Sequence, residues 1–222
     1  MAVRGTSALA EGTAAPKGRP RLAMRSPDET KERLIAAASD EFAARGYADS
    51  SIRNIAIRAG VTSGTIYCHF ANKADLLIAA LKREVAVQPL AGAPDEGRPT
   101  SAAGLGALIA RYAQRELARA RKLSVELHAA SLREAAVADI HATFNRSSHA
   151  GLCALIEAGK SRGGIAGNLP TTYTAHLFHT LILGLSHLET LEPALIGGKE
   201  WTKFLEDSVI RLLCCDHSPE GE

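Results

Sequence analysis

Between residues 53 and 73 the chain sets out groups of the kind that touch phosphates and base edges: Arg53, Thr62, Ser63, Gly64, Thr65, Tyr67, His69 and Lys73. Thr62, Ser63 and Thr65 cluster where a short helix would begin, and the free backbone N–H groups of a helix N-terminus favour anions. Short hydroxyls at that place donate to phosphate oxygens or to base edges in a major groove. Tyr67 adds a phenolic hydroxyl for phosphate, or a ring to lie against a thymine methyl. Gly64 carries no side chain to hold the helix off a neighbouring duplex. Arg53 lies one element earlier, on a solvent side from which it can reach backbone or base. Each group also has a plainer reading. Tyr67 can pack on its own domain, Arg53 can be a solvated charge, and an isolated histidine before phenylalanine is ordinarily a core residue.

Caps and spacing define the elements that must hold these groups. Ser51 is placed to cap a helix whose inner face is Ile52, Ile55 and Ala56. Gly60 suits the left-handed turn that ends it, and Val61 plugs that turn. Thr62 caps the next helix, Ser63 to His69, with Ile66 and Phe70 facing inward. Helix, glycine turn and capped second helix form the helix-turn-helix plan, whose second helix can enter a major groove. Upstream, Ser26-Pro27-Asp28-Glu29 has the capping-box pattern with proline at the first helical position. Leu34, Ile35, Ala38 and Phe42 then form a buried stripe, Gly46 stops the helix, and Tyr47 packs back. Downstream, Asn72 caps a fourth helix with Asp75 in its first turn, and Leu76, Leu77, Ala80 and Leu81 carry its apolar face to about Val87.

The order Ile55-Ala56, Ala59-Gly60-Val61-Thr62, Gly64-Thr65, Tyr67, His69-Phe70, Lys73 and Leu76-Leu77, after the first helix KERLIAAASDEFAARGY, resembles the TetR family of bacterial transcriptional regulators. The strong match covers residues 28 to 80, and beyond it only length and helical pattern agree. Cys68 departs from the family, where a larger aromatic or polar residue is common. The resemblance implies phosphate contacts for His69 and Lys73. It also implies a helical C-terminal domain that dimerises and binds a small-molecule ligand, with ligand binding reorienting the two heads on operator DNA.

The formal charge of +2 is unevenly divided: residues 1–88 hold 13 Lys/Arg against 9 Asp/Glu, and the remainder 13 against 15. The positive field therefore lies with the candidate DNA-binding pattern. No apolar run approaches the roughly 18 residues of a membrane span. The N-terminus lacks the apolar stretch of a secretory signal. Cys68, Cys153, Cys214 and Cys215 show neither metal-ligand nor disulfide spacing, which points to a reduced, cytoplasmic chain.

The expected architecture is all-α with about nine helices: a flexible basic arm (1–25), a helix-turn-helix DNA-binding domain (26–72) and a helical ligand-binding and dimerisation domain (73–216). Arg19, Arg21 and Arg25 of the arm are either solvated or reach phosphates and the minor groove. Pro89 to Thr100 reads as a loop. Helices are expected at Ser101 to Arg119, Leu123 to Leu132, Asp139 to Arg162, Thr171 to about Thr190 and Trp201 to about Cys214. The last two carry apolar stripes broader than one buried face needs. Leu177, Leu181, Leu185, Trp201, Phe204, Val209 and Leu212 are therefore candidates either for the body core or for a two-fold interface, which the resemblance favours. Tyr112, Leu127, His128, Phe144 and Phe178 are candidates to line a ligand cavity.

Other chemistry finds little support. Gly159-Lys160-Ser161 looks like the end of a phosphate-binding loop, but Ala154 stands where its leading glycine belongs. His176 and His179 lie a helical turn apart, as do His149 and Cys153, yet two ligands do not make a zinc site. No local motif supports a catalytic triad or carboxylate pair. The expectation is a DNA-binding regulator without catalytic residues, metal or cofactor: a repressor on a palindromic operator, partnered by double-stranded DNA, a second copy of itself and a small-molecule effector. A metal- or thiol-responsive regulator on the same scaffold, or an all-α enzyme, are the alternatives.

Overall fold

The computed structural model describes residues 26–85 and 100–214. The expected basic arm, residues 89–99 of the expected loop, Val87 and Cys215 fall outside them. The elements are α1 (Pro27–Asp49), α2 (Ile52–Ala59), α3 (Ser63–His69), α4 (Lys73–Val85), α5 (Ala102–Tyr112), α6 (Ala118–Ser131), α7 (Ala135–Ser161), α8 (Thr171–Ser186), the single turn α9 (Leu188–Leu191) and α10 (Lys199–Cys214). Short 3₁₀ turns occupy Arg115–Leu117 and Pro193–Leu195. The described residues are all-α, with nine helices longer than one turn. None is long and apolar enough to cross a membrane.

The head is built from α1, α2 and α3. Ser26 and Glu29 close the expected capping box at α1, with Pro27 in the first turn. Gly46 leaves helical geometry at φ 77°, breaking α1 before its last residues. Leu34, Phe42, Ile55 and Ile66 are completely buried between the three helices, and the Tyr47 ring stacks on Phe42 at 6.0 Å. Burying each such side chain contributes roughly 1.5–3 kcal/mol.

Helix α4 packs on α1 and also on α6 and α7, and α1 packs on α6. Polar contacts pin this junction. Ser39 Oγ donates to Glu84 Oε1 at 2.5 Å, Arg119 Nη1 meets Asp40 Oδ1 at 2.6 Å, and the Tyr47 N–H donates to Glu126 Oε2 at 2.8 Å. Within the body α5 packs on α10, and α6, α7 and α8 pack on one another around Leu123, Leu127, Ile156 and Phe178.

The body's helix boundaries differ from the sequence expectation. The helix expected from Ser101 to Arg119 ends at Tyr112, and α6 begins at Ala118. The cause is Arg121, which is fully buried: its Nη1 donates to the Tyr112 and Gln114 carbonyls and its Nη2 pairs with Glu189. The free carbonyls of the α5 end thus find a charged donor from another helix, so a break there costs little. Helix α7 starts at Ala135 rather than Asp139. Helix α8 stops at Ser186 rather than Thr190. There Ser186 Oγ returns to the Ile182 carbonyl at 2.9 Å and also meets Tyr112 and Ser124 in a buried hydroxyl cluster. Such back-bonding competes with continuation of a helix.

Candidate nucleic-acid interface

The turn that presents α3 is fixed by three groups. Ser51 Oγ accepts the Asn54 N–H at 3.0 Å and starts α2. Gly60, at φ 66° and ψ 38°, ends it in the left-handed region with its N–H on the Ala56 and Ile57 carbonyls. Arg33, reaching over from α1, donates to the Ala59 carbonyl. Thr62 Oγ1 then accepts the Thr65 N–H at 3.3 Å, starting α3.

Below the turn a single buried carboxylate ties α1 to α2. Glu41 keeps only 2% of its side-chain surface exposed, and it accepts from Asn54 Nδ2 at 3.2 Å while Arg45 and Arg58 lie within 3.4 Å. Both arginines are half-exposed, so this lock works through one buried acceptor satisfied by three donors. Sequence reasoning missed Glu41. The available signal was its place three residues after Ala38 and beside Phe42, on the stripe that goes inward.

The face of α3 left uncovered matches much of the expected reading surface. Thr62, Gly64, Tyr67 and Cys68 are exposed, and Ser63 and Thr65 are half-buried. The Thr62 and Thr65 hydroxyls lie 3.0 Å apart, so one of them donates to the other. Tyr67 is 58% exposed. Arg53 stands exposed on α2. A Cβ built on Gly64 would meet nothing nearer than Thr62 Oγ1 at 3.7 Å, so the head itself does not require glycine there. His69 is half-buried, its ring 6.5 Å from that of Phe70.

Lys73, expected at phosphate, engages the head's own backbone in this structure. Its Nζ donates to the Ser50 and Ala48 carbonyls at 2.8 and 3.3 Å and sits 4.4 Å above the centre of the Tyr47 ring. Burial lowers its proton affinity against the opposing pull of Glu134 and Asp49. The ammonium closes the end of α1 onto the start of α4, because the carbonyls freed by the Gly46 break need a donor.

The body candidates do not converge on one site. Tyr112, Leu127 and Phe178 are buried in the packed core, and the Tyr112 hydroxyl is satisfied 3.1 Å from Ser186 Oγ. Burial raises the Tyr112 proton-release point. His128 is half-buried with Nδ1 at 2.8 Å from the Ser124 carbonyl. Phe144 instead lines an outer cleft between the head and α7, with Lys82 Nζ 5.5 Å from its ring. Of the interface candidates, Leu177 and Phe204 are exposed, Leu181, Trp201 and Leu212 are half-buried, and Leu185 and Val209 are buried. Leu185 and Val209 are therefore buried within the single chain, on helices that pack on α5 and, for α8, also on α6. Among the described residues no three His, Cys, Asp or Glu converge to hold a metal.

Residues 34–80, the stretch that carries this geometry, match the family described as bacterial regulatory proteins, tetR family. The chain is 38% identical over 86 residues to the HTH-type transcriptional activator FasR of Mycolicibacterium smegmatis, covering 38% of this chain and 39% of that protein. It is 40% identical over 70 residues to the HTH-type transcriptional regulator SrpR of Pseudomonas putida, covering 32% and 33%. The match thus spans well under half the length of these curated relatives. The fold as a whole aligns with a transcriptional regulator from Rhodococcus sp. Rha1 at a TM-score of 0.60 and 25% identity, over 82% of this chain and 95% of that one. A glycine turn carrying a capped, outward-facing α3, on residues 34–80 that match this family, gives the chain a DNA-binding head of the TetR type.

Proposed function

We propose that the chain occupies a palindromic operator as a homodimer in the cytoplasm, represses transcription there, and leaves when a small molecule binds its helical body. Residues 26–72 act as the reading head and 73–216 as the body. The observation that carries this reading is the α3 surface. Thr62, Gly64 and Tyr67 face outward, and Gly64 is bare where the fold would accept a side chain. Arg53 and His69 flank that surface for phosphate. A single α3 reads few bases, and two heads about 34–36 Å apart meet successive major grooves on one side of a duplex. Tyr173 and Leu177 on α8 and Phe204 on α10 leave large apolar surface exposed, which supports a two-fold contact through these helices.

Release needs a lever between body and head, and the junction supplies candidates. Arg119 and Glu126 on α6 hold Asp40 and the Tyr47 amide of α1. A ligand that favours a shifted α6 would carry α1 with it and change the spacing of the heads. The test is binding of the full chain to the DNA upstream of its own gene at two salt concentrations, against unrelated DNA, with a footprint. The expected result is salt-sensitive preference for the upstream fragment over two half-sites. Equal, weak binding to both fragments would refute the assignment to that operator.

A further inference from the structure

The packed core around Tyr112, Leu127 and Phe178 is not where this body offers room. A cleft of about 390 Å³ opens instead between α7 and α8. Its walls include Asn145, Arg146 and His149 from α7, and His176, His179 and Leu183 from α8. No carboxylate of the described residues lines it, and every ionisable group in its walls is a base. The volume falls in the range of small-molecule sites, which combine apolar walls with a few polar groups. We propose that this cleft binds a small aromatic carboxylate, with Arg146 and the α8 histidines holding the anion and the imidazole faces and Leu183 holding the ring.

Hydrogen bonding shows which groups are free to do so. His149 faces the Thr172 carbonyl with Nε2 at 3.3 Å, to which it donates, and turns Nδ1 toward Cys153 Sγ at 3.7 Å. Asn145 Nδ2 is engaged with His141 Nε2 at 3.0 Å. Arg146 Nη2 donates to Thr143 Oγ1 at 2.9 Å, which props the guanidinium on the outer side of α7 and leaves its remaining N–H groups for an anion. Among the described residues, no hydrogen bond engages the ring nitrogens of His176 or His179.

Electrostatics favours the same class of ligand. The His149 and His176 rings lie 4.0 Å apart and the His128 and His141 rings 4.5 Å apart, so the histidines gather in two close pairs. Burial, then His149, His128 and His176, hold His179 below the usual histidine range. Behind it His141 is pushed down to about 4 by burial, His128 and His179. The cleft thus gathers bases with no carboxylate in its walls. A carboxylate entering it favours protonation of His179, so binding draws in a proton. Among uncharged aromatic amides nothing supplies that compensation.

The binding claim stands on the cleft, and it rests on the proposed effector reading only for its regulatory consequence. Calorimetric titration of the full chain with benzoate near neutral pH, in two buffers of different ionisation enthalpy, tests it, with benzamide as the neutral isostere. Saturable benzoate binding with net proton uptake, and none by benzamide, is expected. Arg146→Gln and His176→Phe should each weaken benzoate by about tenfold or more, the scale of a lost charge-assisted contact. Both positions are exposed or at the cleft edge, and thermal melts confirm that the variants fold. Absence of saturable benzoate binding, equal binding of benzamide, or unchanged affinity in both variants would overturn the site. Operator affinity is read separately. Benzoate held through Arg146 with operator binding unchanged would leave the site standing and remove its role in release.

Discussion

In the head, each helix starts on a neighbour in sequence. Ser26 caps α1, Ser51 caps α2, Thr62 caps α3, and Asn72 accepts the Asp75 N–H at 2.8 Å at the start of α4. In the body, α5 shares this habit through Ser101, but α6, α7 and α8 begin without a side-chain cap. Their ends are settled across elements: Arg121 ties the α5 end to Glu189, 68 residues on, and Lys160 of α7 donates to the Leu169 carbonyl and Thr171 Oγ1 at the start of α8. The helix starts of the head are thus specified locally, while Arg33 and Lys73 tie its helices to backbone carbonyls 26 and 25 residues away. The body is held by charged donors that bridge separate helices and by a buried hydroxyl cluster.

The contrast breaks most sharply at Arg121. Arg121→Met keeps the volume and removes the donor from the Tyr112 and Gln114 carbonyls, leaving buried acceptors unsatisfied and Glu189 unpaired. A loss of about 3 kcal/mol is expected, from the cost of orphaned buried polar groups. Urea unfolding followed by circular dichroism measures it, and the fluorescence of Trp201 on α10 reports the body directly. A loss below about 1 kcal/mol would mean that the body does not depend on this long-range clasp.

The second effect belongs to the body alone and depends on pH. The folded chain protonates His141 only near 4, against 6.5 for a free histidine, because burial comes first and His128 and His179 add to it. The unfolded chain therefore takes a proton at a pH where the folded chain does not. Its contribution is fully present above 6.5 and is lost as pH falls from 6.5 toward 4, with no further change from this group below that. The loss should be about 2 kcal/mol, discounted from the full shift because the site is only partly screened from solvent. Denaturant midpoints measured across that window for the wild type and His141→Gln isolate the contribution. Parallel pH profiles in the two proteins would eliminate it.

The same division sets what could be read in advance. Caps, the Gly60 turn and the inward Leu34, Phe42, Ile55 and Ile66 follow from local chemistry and periodicity, so the head and the outward face of α3 were legible. Glu41 was not, because a carboxylate on an apolar stripe is recognisable only once Asn54, Arg45 and Arg58 are seen around it. Lys73 has the same character: its partners are the Ala48 and Ser50 carbonyls, 25 and 23 residues upstream of it. In the body, the break after Tyr112 depends on Arg121 and Glu189, and no window of sequence contains both. Leu185 and Val209 share the composition of Leu177 and Phe204, and only the packing of α8 and α10 separates core from surface.

Gly64 and Tyr67 sharpen the comparison from the head's side, since both stand where the fold makes no demand. Gly64→Ala meets open space at ordinary helical geometry, so stability should hold or rise by up to about 1 kcal/mol. Operator affinity should nevertheless fall by about tenfold, equivalent to roughly 1.4 kcal/mol, if the helix comes close to the duplex there. Thermal melts and a salt-matched binding isotherm separate the two. An unchanged isotherm would place α3 at a distance from DNA.

Tyr67→Phe carries the smallest expected effect and discriminates between the two ways its side chain can act. The ring is 58% exposed, so removing the hydroxyl should leave stability within about 0.5 kcal/mol of wild type. If the hydroxyl donates to phosphate, affinity falls by a similar factor, about threefold to tenfold, on operator and unrelated DNA alike, because phosphate contacts carry no sequence information. If instead the ring lies against a thymine methyl, Tyr67→Phe retains affinity, and the loss appears only in Tyr67→Ala and only on the operator. Paired isotherms of the two variants on both DNAs decide it. Full affinity in both variants would remove Tyr67 from the interface and leave Thr62, Ser63 and Thr65 as the reading groups of α3.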